Sequence, residues 1–217
     1  MRTRPFLSAV TGLSLLLTLA ACKLATVRPL DPETGRAVIG NEAEGFDAER
    51  YVEGIWDDPL LATVHSEATE LTELLPVLRD DEEAAAERYG HQVGSAVSFI
   101  VTGQGRVLSV DTESRAGLMN IDLEPPDGEA DVALAIGPVV SGNALRDALP
   151  FISFNDFTNQ IEFANVSRAL NTRALESAVG TLAPETVPGK RIRFYGAFTL
   201  TDPDEITVVP VEIGVEG

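Results

Sequence analysis

The hydrophobic period of this chain changes at Ala96, and that change restricts the folds open to it more than any other feature. Before it, Leu61, Val64, Ala68, Leu71, Leu75 and Leu78 recur at steps of three and four, with Glu67, Thr69, Glu70 and Glu73 between them. Such spacing puts one apolar stripe on an amphipathic helix. After it, Val97, Phe99 and Val101 alternate, Gly103-Gln104-Gly105 interrupts the run, and Val107, Leu108 and Val110 resume it. Alternation at a period of two belongs to a strand with one buried face. Helices followed by a sheet make an α+β chain.

The remaining elements follow from the same signals. Phe46 to Trp56 forms a first short helix with Asp47 near its start. Pro76 should kink or interrupt the striped helix near Thr72, because proline lacks the N–H that would bond there. Asp80, Asp81, Glu82 and Glu83 open another helical turn, where acids suit the positive end of the dipole, and Gly90 ends it. Further strands are expected over Ala116–Leu123, Asp131–Val140, Arg191–Leu200 and Ile206–Val215. A helix from Phe157 to Ser177 carries Phe163, Val166, Leu170 and Ala174 on one stripe. The order after Ala96 is strand, strand, strand, helix, strand, strand. It predicts an OB-like, partly open five-stranded β-barrel over residues 96–217, preceded by a helical segment, 46–95, packed on it. The glycines would let the long first strand bend and serve both sides of the barrel. A plain α+β sheet with one helix on its face is the competing topology.

The first residues carry an address. Arg2 and Arg4 precede an apolar run, Phe6 to Leu19, of about 14 residues, short of the roughly 20 needed to span a bilayer. A positive start followed by a run of that length is the pattern of a secretory signal peptide. It ends in Leu19-Ala20-Ala21-Cys22, which resembles the lipobox of bacterial lipoproteins, and Cys22 is the only cysteine in the chain. The expectation is a signal peptide over 1–21, lipidation at Cys22, and a tether over 22–45 containing Pro29, Pro32, Gly35, Gly40 and Gly45. The chain would then sit in the cell envelope, on the periplasmic side, lipid-anchored to the inner or outer membrane.

Charge and composition remove several classes of function. With 16 Lys+Arg against 34 Asp+Glu the formal charge is −18, so no nucleic-acid partner is expected, because neutralising phosphates takes clustered cations. One cysteine excludes an intramolecular disulfide, and two histidines give little basis for a zinc centre. The acids Asp122, Glu124, Asp127, Glu129 and Asp131 lack calcium-loop spacing and read as a solvated loop. Gly103-Gln104-Gly105 is too short for a dinucleotide fingerprint. Neither His65 nor His91 accompanies a recognisable nucleophile. No metal, no cofactor and no catalytic set is expected, and the chain reads as non-enzymatic.

One stretch gathers hydrogen-bonding groups: Arg146, Asp147, Asn155, Asp156, Asn159 and Gln160. Arg146 could hold a carboxylate or phosphate through two parallel bonds, and Asn159 and Gln160 could read sugar hydroxyls. The alternative is structural. Asp156 or Thr158 would cap the following helix, and Arg146 would pair with Asp111, Asp147 or Asp156. Arg115, beside Ser114, is either an anion contact or part of a turn closed by one ion pair.

Arg146-Asp147 and Phe157-Thr158-Asn159-Gln160 carry a family resemblance, together with Tyr51-Val52, Trp56, Tyr89-Gly90, Gly103-x-Gly105-x-Val107, Asp111-Thr112-x-Ser114-Arg115 and Gly196-Ala197-Phe198. The chain resembles, over nearly all of its length after Cys22, the predicted periplasmic lipoproteins grouped as domain of unknown function 2291. The resemblance implies a membrane-anchored accessory protein, with a sugar ABC transporter as the expected kind of partner. It supplies no catalytic residues.

Overall fold

The computed structural model of the chain describes residues 46–180 and 182–216. Cys22, the expected signal peptide and the expected tether lie outside them. Asp47 opens α1 (Ala48–Ile55) by accepting the Arg50 N–H at 3.0 Å, a cap that satisfies one of the orphan donors of a first turn. An irregular turn with Pro59 leads into α2 (Ala62–Glu67).

The expected striped helix is then corrected. It breaks at a two-residue strand, β1 (Thr69–Glu70), before α3 (Leu71–Asp80) begins. The backbone there pairs in parallel with Val101 and Thr102, so sheet partners override helical continuity. Pro76 lies inside α3 and does not end it. Leu71, Leu74, Leu75 and Leu78 are buried, as is Val64, while Leu61 is only half-buried. Asp81 caps α4 (Glu82–Tyr89), which stops at Gly90. The N-terminal segment also contributes β2 (Gly90–Val93), a hairpin strand on the edge of the sheet.

Five strands close into a ring: β3 (Ala96–Asp111), β4 (Leu118–Leu123), β5 (Val132–Ala135), β6 (Arg191–Thr199) and β7 (Thr207–Glu216). Their order is β3-β4-β5-β7-β6, and β6 pairs back onto β3. All contacts around the ring are antiparallel except β5 with β7. Strand β3 reaches both neighbours by changing partner along its length: Ser98–Arg106 pair with β6 and Gly105–Asp111 with β4.

The glycine run does not interrupt β3. A Cβ on Gly105 would stand 2.3 Å from the Asp122 carbonyl, and one on Gly103 would stand 2.8 Å from the Phe194 ring. Glycine is required where another backbone or ring passes this close. The second strand starts at Leu118, not Ala116, and the third ends at Ala135, not Val140. Beyond Ala135 the chain presses Gly137 against Gly117, whose φ is +51°, and Pro138 has no N–H to continue a ladder. After the short α5 (Ala144–Ala148), α6 runs Gln160–Val179. It starts three residues later than expected because Asn159 is its cap.

Alternate side chains of β3 feed two cores. Phe99 and Val101 point into the ring with Met119, Ile121, Leu134, Phe194, Phe198 and Val208, and the leucines of α3 join them there. Phe99 and Phe198 stack with centroids 5.1 Å apart. Ile100 turns outward with Ala197, Val209 and Val211, against Val52, Trp56 and Val64, the Leu145 and Leu149 pair, and Val166, Leu170 and Ala174 of α6. Each fully buried side chain of this size is worth about 1.5–3 kcal/mol. The stripe that the sequence shows as continuous is therefore divided, with Val64 serving the outer core and Leu71 to Leu78 the inner one.

Candidate functional site

The Arg146–Gln160 segment crosses the outer face of the ring as α5, a loop, a single turn over Phe154–Asp156 and the first residue of α6. Helix α5 is short and wholly buried, so its two charges are buried with it. The Arg146 guanidinium reaches Asp147 Oδ1 twice, from Nε at 2.7 Å and from Nη2 at 2.6 Å. Its Nη1 donates to the Phe163 carbonyl at 3.3 Å, and its plane lies 3.6 Å from the centre of the Phe163 ring. Arginine over an aromatic face gains electrostatic attraction and shielding from water together. Both side chains are less than a tenth exposed.

The opposite side of α5 is tied to the hairpin. The Asp147 carbonyl bonds His91 Nδ1. A carbonyl only accepts, so Nδ1 is the donor in that bond. Beside it lies a pocket of about 130 Å³, lined by Glu67, Tyr89, His91, Ser98, Ile100 and Pro150 among others. Its size corresponds to roughly four waters. The Ser98 hydroxyl is within 2.8 Å of that of Thr199, and the Tyr89 hydroxyl donates to Glu73. Burial, then that bond, raises the Tyr89 phenol above its ordinary range.

The start of α6 is a reciprocal cap. Asn159 Oδ1 accepts the N–H groups of Ile161 and Glu162 at 2.9 and 3.0 Å. Glu162 returns the arrangement by accepting the Thr158 N–H at 2.9 Å and the Asn159 amide at 3.3 Å. The Asn-x-x-Glu spacing is a capping signature legible in the sequence, and it replaces Asp156 or Thr158 as the expected cap. Asp156 instead belongs to the preceding turn, where it accepts the Ser153 N–H. Burial, and then the Asp156 carboxylate, raise the Tyr51 phenol.

The sequence candidates thus fall into separate surroundings. Arg146 and Asp147 face each other in the interior. Asn159 spends its carbonyl oxygen on backbone. Asn155 and Gln160 are exposed. Arg115 is exposed in the turn before β4; that turn is closed by Asp111, which accepts the N–H groups of Glu113 and Ser114, and by the Ser114 hydroxyl, which accepts from Gly117. These side-chain bonds to backbone N–H groups hold it, and among the described residues Arg115 makes no ion pair. The Ser114 N–H and hydroxyl, then the Glu113 N–H, lower the Asp111 carboxyl below the usual aspartate range.

The acids of the β4–β5 turn are also structural. Asp122 is buried and accepts the Asp127 and Gly128 N–H groups, while Asp131 accepts that of Leu123. Among the described residues no group of three or more His, Cys, Asp or Glu is placed to hold a metal ion, and no helix is long and apolar enough to cross a membrane.

The ring, with its one parallel contact and a helix between the third and fourth strands, is of the OB-fold type. A crystal structure of an OB-fold protein from Thermotoga maritima matches with a TM-score of 0.66 and 21% sequence identity, covering 80% of this chain and all of that one. At the level of family, residues 13–214 match the model described as predicted periplasmic lipoprotein (DUF2291), and the chain belongs to that family. Its place is accordingly the periplasmic side of the cell envelope. No curated protein matches it significantly.

Proposed function

We propose that this protein is a non-enzymatic accessory lipoprotein whose folded body, from Phe46 onward, serves as an interaction module in the envelope. In this reading residues 1–21 are removed as a signal peptide, Cys22 is acylated, and 22–45 tether the body. A sugar ABC transporter is the kind of partner proposed. The observation that carries the reading is the enclosure of Arg146: its donors are engaged by Asp147 and Phe163 inside the fold, which favours a structural role. Arg115, Asn155 and Gln160, all exposed, remain as candidates for partner contacts.

The test of the anchor is Cys22→Ser with palmitate labelling. Labelling should vanish and the protein should leave the membrane fraction; labelling that persists sinks the lipoprotein reading. Crosslinking in the native envelope then tests the partner.

A second reading, small-ligand binding, draws on the pocket beside His91, whose lining includes Glu67, Ser98, Ile100 and Pro150. Melting the protein with and without glucose separates it from binding near Arg146 and Gln160. A stabilisation lost in His91→Ala supports the pocket, and one lost in Gln160→Ala supports the groove. No stabilisation leaves the interaction module.

A further inference from the structure

Three aromatic rings meet where α1 packs beside the turn before α6. Phe46, Tyr51 and Phe157 each touch the other two, with centroids 5.9 Å apart for Phe46 and Tyr51 and 5.5 Å apart for the other two pairs. Phe157 is buried, while Phe46 and Tyr51 keep part of their surface in solvent. Asp156, the residue before Phe157, is exposed. Its Oδ2 accepts the Ser153 N–H, and its Oδ1 has no hydrogen-bond partner among the described residues. The Tyr51 phenol is raised by burial and then by this carboxylate, which sets the charge beside the rings.

The same ingredients occur together once more in the fold, and there they hold a guanidinium. Arg146 lies 3.6 Å from the centre of the Phe163 ring and pairs with Asp147. Phe163 tilts against Phe157 at 5.5 Å, so both arrangements belong to one aromatic cluster. The first is filled from within the molecule, and the second faces solvent. Among the described residues no Arg or Lys lies over Phe46, Tyr51 or Phe157, and none pairs with Asp156.

We propose that Phe46, Tyr51 and Asp156 form a docking site for an arginine side chain of a partner protein, the rings receiving the guanidinium plane and Asp156 Oδ1 its N–H groups. The assignment rests on the interaction-module reading and names the chemistry of the partner. A guanidinium stacks and donates at once, and it is more weakly hydrated than an ammonium, so arginine suits the site better than lysine. Arginine is also enriched among the residues that dominate interfaces. A formal charge of −18 draws basic partners and repels a second copy of the chain. A contact of this kind on an open surface is weak alone, so it selects the partner while the rest of the interface supplies affinity.

The experiment follows aromatic NMR signals of the full-length chain in detergent micelles. A glycine pentapeptide with a central arginine is added, against the same peptide carrying lysine or uncharged citrulline. The Phe46 and Tyr51 signals should move most, with the lysine peptide several-fold weaker and the citrulline peptide inert. Asp156→Asn keeps an acceptor for the Ser153 N–H and should weaken the arginine peptide several-fold. Glu83→Gln, which removes an exposed acid on α4, should not. Equal losses in the two variants would reduce the effect to bulk charge and overturn the proposal, as would an equal response to lysine. Binding that emerges only after Arg28→Gln and Arg36→Gln also overturns it, because the chain's own arginines would then be the occupants.

A photo-crosslinker at position 155, in native envelopes, separates the proposal from the reading beneath it. Capture that is lost in Asp156→Asn supports the arginine site. Capture unchanged in that variant overturns the site and leaves the interaction module standing. No capture from the parent chain removes both.

Discussion

Two charged regions of this molecule use the same chemistry in opposite surroundings. At α5, Arg146 and Asp147 form one pair that is almost wholly enclosed. On the outer surface of β6, Arg191 pairs with Glu124 and, at 3.9 Å, with Glu216, Arg193 lies 3.8 Å from Glu70, and Gln104 bridges Arg193 to Glu216. The second region has more ion pairs and contributes less to stability. Its side chains are about half exposed, and water competes for each of them, so such pairs are worth about 0–1 kcal/mol. The buried pair has no such competitor, and removing one partner strands the other. Counting salt bridges would rank the regions the wrong way round.

The largest effect is therefore expected at Arg146. Arg146→Ala leaves Asp147 uncompensated in the interior, a loss of about 3–5 kcal/mol that lowers the melting temperature by about 6–20 °C in a domain of this size. The double change Arg146→Met with Asp147→Leu should recover much of it, since an apolar pair needs no compensation. A melt of Arg146→Ala unchanged from the parent would mean that the charge is not held as described.

Next in size is Asn159→Ala, which removes the acceptor for two N–H groups at the start of α6 and should cost about 1 kcal/mol by denaturant unfolding. Asn159→Asp should restore most of it. Smaller again is Glu216→Gln on the outer surface. Its effect should stay under about 1 kcal/mol and shrink with added salt; a salt-independent loss as large as that of Arg146→Ala would erase the contrast between the regions.

The smallest is a pH effect at Asp111. Its folded carboxyl titrates below the ordinary aspartate range, so the stabilisation it lends the turn is complete above the unfolded value and is lost as pH falls through the folded one. Carboxyl NMR should find its midpoint below that of an unstructured aspartate, and Asp111→Asn should remove the acid-dependent loosening of this turn. A midpoint at the ordinary value would refute it.

What the sequence made legible was periodicity. The alternation at Val97, Phe99 and Val101 fixed which residues enter the ring, and the order of strands about one helix gave the OB-type connection. It did not reveal that Ile100, on the opposite side of the same strand, is buried too, because the cover comes from α1, α2, α5 and α6, far away in the chain. For the same reason the stripe from Val64 to Leu78 looked like one helix, although its two halves pack into different cores. The break at Thr69–Glu70 is a tertiary event, decided by Val101 and Thr102. At the candidate segment, the sequence named the polar residues but not how they divide between the interior and the surface. Neighbouring polar residues in sequence gave no sign that Arg146 would be roofed by Phe163, seventeen positions on.

The ring's joints are unequal. Nine residue pairs bind β3 to β6, whereas β5 meets β7 through two, Ala133 with Thr207 and Leu134 with Val208, plus the bond from the Ala133 N–H to Ile206. The molecule is in effect a long band fastened by a small clasp. A local fluctuation gives way where the fewest bonds must break, so this clasp releases first, while α3 keeps the interior filled. Unfastened, the band becomes a curled strip with two free margins, β5 and β7, each offering unsatisfied backbone to an incoming strand.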